Sequence, residues 1–298
     1  MKVGDISIDV VTDGTLLLDG GALFGPVPKI QWEKNLKPDR SNRVRISLNC
    51  ILIQLGSQNI LIDTGIGAKR MEKLKESYGA AGNKLIKNLK REGLTARDID
   101  TVVLTDLRFH RAGGCTKVDR VGQTLPAFPK AKYLVQRAAL EQATNPSERG
   151  APLYYKDDVA PLMEKDLIEV IDGNYKIAPG ISTFMTNGPS IGHQVVLIES
   201  GSERIAYTGD LMPTSYHLAP GCISSLDYSP NKTLIAKREV LSMALDKGWL
   251  MVFGNAQENK EHFDYIRSYS PYENIKKMNY PHIFITTSLS DNRVLFDE

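Results

Sequence analysis

Residues 105–114 read TDLRFHRAGG and place acidic, histidine and arginine side chains in one short loop, directly after the apolar run DIDTVVL. The side chains concerned are those of Asp106, Arg108, His110 and Arg111. A carboxylate and an imidazole can bind a metal ion or transfer protons, whereas a guanidinium stays protonated and offers a metal no lone pair. The loop therefore predicts either a weak metal site or a network of carboxylate and guanidinium groups.

Short apolar runs separated by turn residues supply the elements that must position this loop. ISIDVVTDG, NCILIQLG and NILIDTG occur early in the chain, and HQVVLIES and RIAYTGD occur later. Alternation and spacing of this kind are typical of strands. Leu85, Ile86 and Leu89 lie at helical spacing, and residues 230–248 form the longest helix candidate. Residues 20–45 show no clear period and predict an ordered loop that walls a pocket.

Size and charge restrict the class of protein. The chain has 298 residues, 37 basic and 35 acidic side chains, a net charge of +2 and a pI near 8.3. We expect one main domain with a large core, and no nucleic-acid or anionic-membrane partner. With no signal peptide and no run of about 20 apolar residues, a cytoplasmic protein is expected. Cys50, Cys115 and Cys222 are expected to be reduced thiols.

Several ordered motifs resemble those of the metallo-β-lactamase superfamily, in the lactonase-like branch that includes acyl-homoserine lactonases and methyl parathion hydrolase. The resemblance covers about residues 1–255. Its motifs are ILIDTGIG at 60–67, the frame of a THLHFDHAGG loop at 105–114, NGPSIGHQVVLIESG at 187–201, YTGDLMP at 207–213 and WLMVFGN at 249–255. The resemblance implies an α/β fold, the αββα sandwich, in which two mixed sheets pack face to face with helices outside. It also implies that Asp63 is a buried structural carboxylate bonded to the backbone of the metal loop.

The metal-binding residues of that branch are almost all replaced. Its members hold two metal ions with five histidines and two aspartates. In this sequence, the four ligand positions of the loop fall on Asp106, Arg108, His110 and Arg111. Two further histidine positions fall on Pro189 and Asn255, and the bridging aspartate, Asp210, is unchanged. The resemblance therefore implies a dismantled dinuclear site without a metal cofactor.

The leading hypothesis is a protein of this fold that works without metal, either as a binding protein for a small-molecule ligand or as a pseudo-hydrolase. His110 and Asp210 are its candidate catalytic residues. The arginines are expected to pair with carboxylates and to favour an anionic ligand such as a carboxylate or phosphate. The candidate ligand-binding residues are Asp106, Arg108, Arg111, Tyr216 and His217.

The alternative hypothesis is a divergent hydrolase of lactones or esters. In that case a single Zn²⁺ or Mn²⁺ ion held by Asp106, His110 and Asp210 polarises the carbonyl, or His110 activates water as a general base without metal. Metal occupancy and its link to turnover distinguish this hypothesis from the first. A third hypothesis, a pure interaction protein, predicts a filled pocket and a large apolar interface.

Residues 254–298 resemble a fragment of a different family, the prolyl oligopeptidases, and are similar to oligopeptidase B. The resemblance lies in SYSPYENI, YPHIFITTSLSD and the NRV that follows. We predict a metallo-β-lactamase-like domain at 1–253 and a fragment at 254–298 that packs on it or is buried in a homodimer. Asp291 matches the triad aspartate of that family. Because no GxSxGG segment supplies a nucleophile, peptidase activity is not expected.

Overall fold

The computed structural model describes residues 2–255, except for the side chain of Lys2, and these residues lie within one compact unit. Of the predicted C-terminal fragment, Gly254 and Asn255 are described. Its expected packing, the homodimer and the placement of Asp291 lie outside the described residues and stay predictions. No helix within residues 2–255 is long and apolar enough to cross a membrane.

Strands follow the apolar runs of the sequence. They are β1 (Lys2–Val3), β2 (Ile6–Asp19), β3 (Arg43–Leu55), β4 (Gln58–Ile62), β5 (Thr101–Val103), β6 (Thr116–Val118), β7 (Thr124–Pro126), β8 (Lys132–Gln136), β9 (Ile168–Ile171), β10 (Tyr175–Ala178), β11 (Ile181–Met185), β12 (Gln194–Ser200), β13 (Glu203–Tyr207) and β14 (Leu250–Val252). The first sheet has the order β1-β2-β3-β4-β5-β8-β9 and the second has β10-β11-β12-β13-β14. Strands β6 and β7 form a separate hairpin.

Most helices are short, and they connect the strands. They are α1 (Gly20–Phe24), α2 (Lys29–Trp32), α3 (Met71–Tyr78), α4 (Leu85–Arg91), α5 (Phe109–Ala112), α6 (Arg137–Thr144), α7 (Lys156–Glu164) and α8 (Pro230–Lys247). Helix α8 agrees with the predicted long helix. It begins after Ser229, whose hydroxyl accepts a hydrogen bond from the Lys232 amide, and ends at Gly248 in the left-handed conformation.

Parallel pairing brings several loops to one edge of the two sheets. Strands β4, β5, β8 and β9 are mutually parallel, and β14 runs parallel to β13. The segment after β5 carries the charged loop, the segment after β13 carries Asp210, and the segment after β14 carries Gly254 and Asn255. Because side chains that follow parallel strands meet at the carboxyl ends of those strands, residues far apart in sequence converge here.

Three of the four apolar clusters in the core form layers on and between the two sheets. Alternate residues of β3 point to opposite faces, so Ile51 and Ile53 pack against the second sheet while Leu52 packs under the helices. The outer face of the first sheet is covered by residues of α4, α6 and α7. On the outer face of the second sheet, Val195 packs against Ala236 and other residues of α8. The predicted αββα sandwich is therefore confirmed.

Residues 20–45 form more regular structure than the expected loop. Helices α1 and α2 lie within this range, and the rings of Phe24 and Trp32 stack with their centroids 5.1 Å apart. Asp19 caps α1 by accepting a hydrogen bond from the Ala22 amide at 2.8 Å. These helices are too short to give a periodic sequence signal, which explains why the pattern alone predicted a loop.

His217 lies in a short 3₁₀ helix after β13 and packs into the fold. Its ring stacks on Phe24 at 5.2 Å and bonds to the Thr214 hydroxyl at 2.8 Å and the Leu23 carbonyl at 3.0 Å. It is 1% exposed. Both ring nitrogens therefore form hydrogen bonds within the protein. His217 is predicted from the sequence to bind a ligand, but in the structure neither nitrogen is available to one.

We expect His217 to make the fold sensitive to acid. Burial lowers the pKa of this imidazole to about 4, so it stays neutral in the folded state while the unfolded chain takes up a proton near pH 6.5. Stability is therefore lost as the pH falls from about 6.5 towards 4, and at pH 4.5 this residue costs roughly 2–3 kcal/mol. Urea unfolding at pH 7, 5.5 and 4.5 should show a weaker pH dependence for His217→Gln than for the wild type. Equal pH dependence in both proteins would contradict this role.

Candidate functional site

Asp63, directly after β4, fixes the backbone of the charged loop. Its carboxylate accepts hydrogen bonds from the Thr105 amide at 2.9 Å and from the Thr105 hydroxyl at 2.7 Å. In the next residue, the Thr64 amide and hydroxyl both donate to the Arg111 carbonyl, at 2.8 and 2.9 Å. Asp63 is fully buried, and burial raises its pKa to about 6. The structural role expected for Asp63 is confirmed.

The two glycines that end the loop allow a close approach to the segment after β4. A Cβ at Gly113 would lie 2.6 Å from the Ile66 carbonyl oxygen, and one at Gly114 would lie 2.2 Å from the Thr64 carbonyl oxygen. No side chain fits at those distances. The glycine pair thus keeps the scaffold of the loop, independently of whether its side chains bind metal.

Asp210 lies at the centre of the site, where guanidinium groups bind both of its carboxylate oxygens. Arg108 Nη2 donates to Oδ2 at 2.7 Å, and His110 Nε2 lies 2.6 Å from the same oxygen. Arg111 donates to Oδ1 through Nη2 and, at 3.1 Å, through Nε. Asp210 is 7% exposed, so these interactions form largely without water.

Arg108 connects Asp210 to the second carboxylate of the site, Asp106. The Arg108 amide and its Nε donate to Oδ1 and Oδ2 of Asp106, both at 2.8 Å. Ser190, in the segment before β12, also donates to Oδ2 of Asp106 at 2.8 Å. Arg108 Nη1 has no hydrogen-bond acceptor among residues 2–255, although the residue is 4% exposed. Nη1 is therefore a donor that no acceptor in the described part of the protein binds.

Arg111 is, by contrast, fully engaged by the protein. Its Nη1 donates to the Tyr207 hydroxyl at 2.9 Å and to the Gly254 carbonyl at 3.2 Å, and its Nη2 donates to Asn255 Oδ1 at 3.1 Å. The residue is 1% exposed. A Cβ at Gly254 would come within 2.3 Å of Nη2, so the backbone there makes room for the guanidinium. Arg111 thus points into the site and joins the ends of β13 and β14 to the loop.

The balance of burial and charge keeps both carboxylates ionised. Burial by itself would raise the pKa of Asp210, but Arg111, His110 and Arg108 outweigh it and hold the pKa well below the ordinary value. For Asp106, burial is likewise outweighed, chiefly by Arg108, and the pKa is lowered. The two carboxylates and the two guanidinium groups therefore form a buried network of four opposite charges, and a third carboxylate, that of Asp63, lies 3.6 Å from Arg111 Nη1.

His193 also contacts this network, as a neutral residue. Its Nε2 accepts a hydrogen bond from the Asp210 amide at 3.1 Å, so the proton lies on Nδ1, which bonds to the Thr186 hydroxyl at 2.7 Å. Burial lowers the pKa of His193 to about 4. This residue positions the Asp210 backbone.

The residues present do not fit a dinuclear metal centre. Among residues 2–255, no group of three or more His, Cys, Asp or Glu side chains is arranged to hold a metal ion. The proposed trio of Asp106, His110 and Asp210 is close together, but Arg108 binds both carboxylates, and a shared metal ion would have to displace its guanidinium. The Arg108 guanidinium therefore already occupies the position in which a metal ion would bind the two carboxylates.

A cavity of about 200 Å³ adjoins the network. Its polar lining includes Arg108, His110, Asp210 and Asp227, the last of which the sequence analysis had missed. In the sequence, Asp227 is a polar residue before the long helix and belongs to no recognised motif. Nothing in the sequence therefore indicated that it lines the cavity. Most of the wall is apolar and includes Leu16, Leu18, Leu23, Ile46, Phe109 and Leu153. Tyr216 lies elsewhere, in a second and more open recess beside Trp32.

Two protein-family models match the chain. The metallo-beta-lactamase superfamily matches residues 45–106, and the prolyl oligopeptidase family matches residues 233–298. The second match begins within α8, earlier than the start at residue 254 that the sequence had suggested. Protease 2 of Moraxella lacunata is 41% identical over 46 residues, which are 15% of this chain and 6% of that protein.

Several relatives of the chain are N-acyl homoserine lactonases. An N-acyl homoserine lactonase of Bacillus cereus is 29% identical over 170 residues, which are 53% of this chain and 61% of that protein. The alignment thus covers less than two thirds of this relative's length. The crystal structure of a probable metal-dependent hydrolase from Staphylococcus aureus superimposes with a TM-score of 0.81 and 29% identity, covering 86% of this chain and 91% of that chain. Residues 45–106 thus match the metallo-β-lactamase superfamily, residues 2–255 share the two-sheet architecture of its solved structures, and the chain is similar to N-acyl homoserine lactonases.

Proposed function

We propose that residues 2–255 form a metal-independent binding protein for a small molecule that has an apolar body and an oxygen acceptor, such as a carbonyl or a carboxylate. The proposal rests on one observation: Arg108 and Arg111 donate hydrogen bonds to the two carboxylate oxygens of Asp210. Buried guanidinium groups supply the positive charge that the metal ions supply elsewhere in the superfamily. The carboxylates therefore do not require a metal ion to balance their charge.

The chemistry of the ligand follows from the cavity. Its largely apolar wall suits an alkyl or acyl chain, and the free Nη1 of Arg108 suits an oxygen acceptor. An anion satisfies this donor as a carbonyl does, but the charges of the arginines are already matched by Asp106 and Asp210. Because several relatives are N-acyl homoserine lactonases, acyl compounds are the first ligands to test.

Metal content tests the central claim. We expect the purified, tag-free protein to contain far less than one equivalent of Zn or Mn by inductively coupled plasma mass spectrometry. Added Zn²⁺ or Mn²⁺ should leave the thermal unfolding midpoint unchanged, because a ligand stabilises only the state it binds. Near-stoichiometric metal together with a raised midpoint would overturn the proposal and favour a mononuclear site at Asp106, His110 and Asp210.

Substitution of Arg111 tests whether its guanidinium is the counter-charge of the site. Arg111→Met should lower the free energy of unfolding by about 3–5 kcal/mol, because it leaves Asp210 buried with one partner fewer. Arg111→Lys keeps the positive charge but lacks the several N–H donors of the guanidinium, so it should lower the free energy of unfolding by an intermediate amount. Arg137→Met is a matched control, because Arg137 pairs with Asp172 on the surface with both side chains more than half exposed.

Denaturant unfolding of the three variants measures these differences. Little change is expected for Arg137→Met, since exposed ion pairs contribute little to stability. If Arg111→Met is no more destabilising than this control, the guanidinium does not balance the buried carboxylate. The charge replacement proposed for the site would then be wrong.

A second candidate function, metal-independent hydrolysis of lactones or esters, is favoured by the orientation of His110. Its Nε2 faces the ionised Asp210 carboxylate, which can only accept, so Nε2 carries a proton. In the neutral imidazole, the lone pair is then on Nδ1, which has no partner among residues 2–255. His110 lines the cavity, as does Arg108, whose free donor could stabilise a developing oxyanion.

Turnover in the presence of a chelator tests this candidate. If the protein hydrolyses p-nitrophenyl hexanoate or a hexanoyl lactone, we expect the rate to survive EDTA and to fall by roughly 10²–10⁴ in His110→Gln. His217→Gln, which removes a buried imidazole outside the cavity, should keep the wild-type rate. Loss of turnover on addition of EDTA, with recovery on added Zn²⁺, would contradict hydrolysis by His110 alone.

A further inference from the structure

Asp227 is a buried carboxylate that lines the cavity from outside the Asp210 network. Its Oδ2 accepts a hydrogen bond from the Thr233 hydroxyl of α8 at 2.6 Å. In the part of the chain that the structure describes, Oδ1 has no hydrogen-bond donor, although the residue is 3% exposed. Asp227 therefore lines the cavity with an acceptor that no donor among the described residues binds, and this acceptor is available to a ligand.

The segment that carries Asp227 is held in place from both sides. Arg149 Nη2 donates to the Ser225 carbonyl at 2.8 Å, and the Ser224 hydroxyl donates to the Ala22 carbonyl of α1 at 3.0 Å. The Asp227 amide donates to the Ser224 carbonyl at 3.2 Å. The carboxylate is thus positioned by the fold, and its direction does not depend on a ligand.

Arg108 and Asp227 together give the cavity one free donor and one free acceptor. The two side chains do not form an ion pair with each other in the described structure, whose ion pairs of Arg108 are with Asp106 and Asp210. Both line the same cavity. Because each of them is more than nine-tenths buried, a ligand that satisfies both at once gains more than one that satisfies only the donor.

We propose that Asp227 is a specificity-determining residue that selects acyl ligands with an N–H next to the carbonyl, that is, secondary amides, over the corresponding esters. The carbonyl oxygen of the amide accepts from Arg108 Nη1, and the amide N–H donates to Asp227 Oδ1. An ester places an oxygen lone pair where the N–H would lie, so the carboxylate is left unpaired. This inference rests on the proposed binding function and adds the group that discriminates between ligands.

A pair of probes that differ only in N–H against O tests the inference. N-ethylhexanamide and ethyl hexanoate are titrated into the full chain, and their dissociation constants are measured by ligand-observed NMR, which also reports any hydrolysis. Measurements at pH 8 keep Asp227 ionised, because burial raises its pKa to about 6. For the wild type, we expect the amide to bind about tenfold more tightly than the ester.

Three variants separate this inference from the binding function itself. Asp227→Asn keeps an acceptor for Thr233 and presents an amide donor to the cavity, so the tenfold preference should disappear. Asp19→Asn is the matched control: Asp19 also lines the cavity, but its oxygens already bind the Ala22 amide and the Asn42 side chain, so the preference should remain. Arg108→Lys removes Nη1 and should weaken both probes.

Each outcome is decisive for Asp227. Equal binding of amide and ester by the wild type, or a preference that survives Asp227→Asn, overturns the inference. If Arg108→Lys still weakens both probes in that case, the proposed binding function stands without it. If the wild type binds neither probe, the inference and the proposed function fail together.

Discussion

The buried contact between the Asp210 carboxylate and two guanidinium groups is the interaction on which the rest of the site depends. A buried carboxylate is stable only when its charge and its lone pairs are satisfied. Arg111 meets that need with a donor set that also reaches Tyr207 at the end of β13 and Gly254 after β14. One side chain therefore joins the charged loop to the second sheet. Removing it would leave Asp210 with Arg108 and His110 alone as charged partners and would also disconnect the elements that build the cavity.

The network of arginines and carboxylates has different chemical properties from a metal centre. A metal centre needs ligands with free lone pairs and a position open to water. In the described structure, the lone pairs of Asp106 and Asp210 face guanidinium groups, and the donor left open is Arg108 Nη1 beside an apolar cavity. The proposed ligand, with an acceptor group at the end of an apolar chain, is complementary to such a surface. Whether His110 turns recognition into hydrolysis depends on the free Nδ1 of an imidazole whose other nitrogen is held by Asp210.

The parts of the site that shape the backbone do not depend on metal. Asp63 holds the loop through Thr105, the glycine pair packs against the segment after β4, and His193 positions the Asp210 amide. These contacts work equally well around metal ions or around arginines. A fold can thus keep its architecture while the chemistry at its edge changes, which is why a shared fold does not by itself establish an activity.

The sequence by itself determined the sandwich and the loss of the ligand set. Ordered motifs and apolar alternation are local properties, and arginine cannot coordinate a metal ion wherever it points. It also indicated that arginines would meet carboxylates, since both kinds of residue fall on ligand positions of the superfamily. Only the tertiary structure decided that Arg111 is saturated while Arg108 keeps a free donor, that Asp227 reaches the cavity, and that His217 is buried against Phe24. The direction of a side chain is set by packing between segments that are distant in sequence, and no local pattern records that packing.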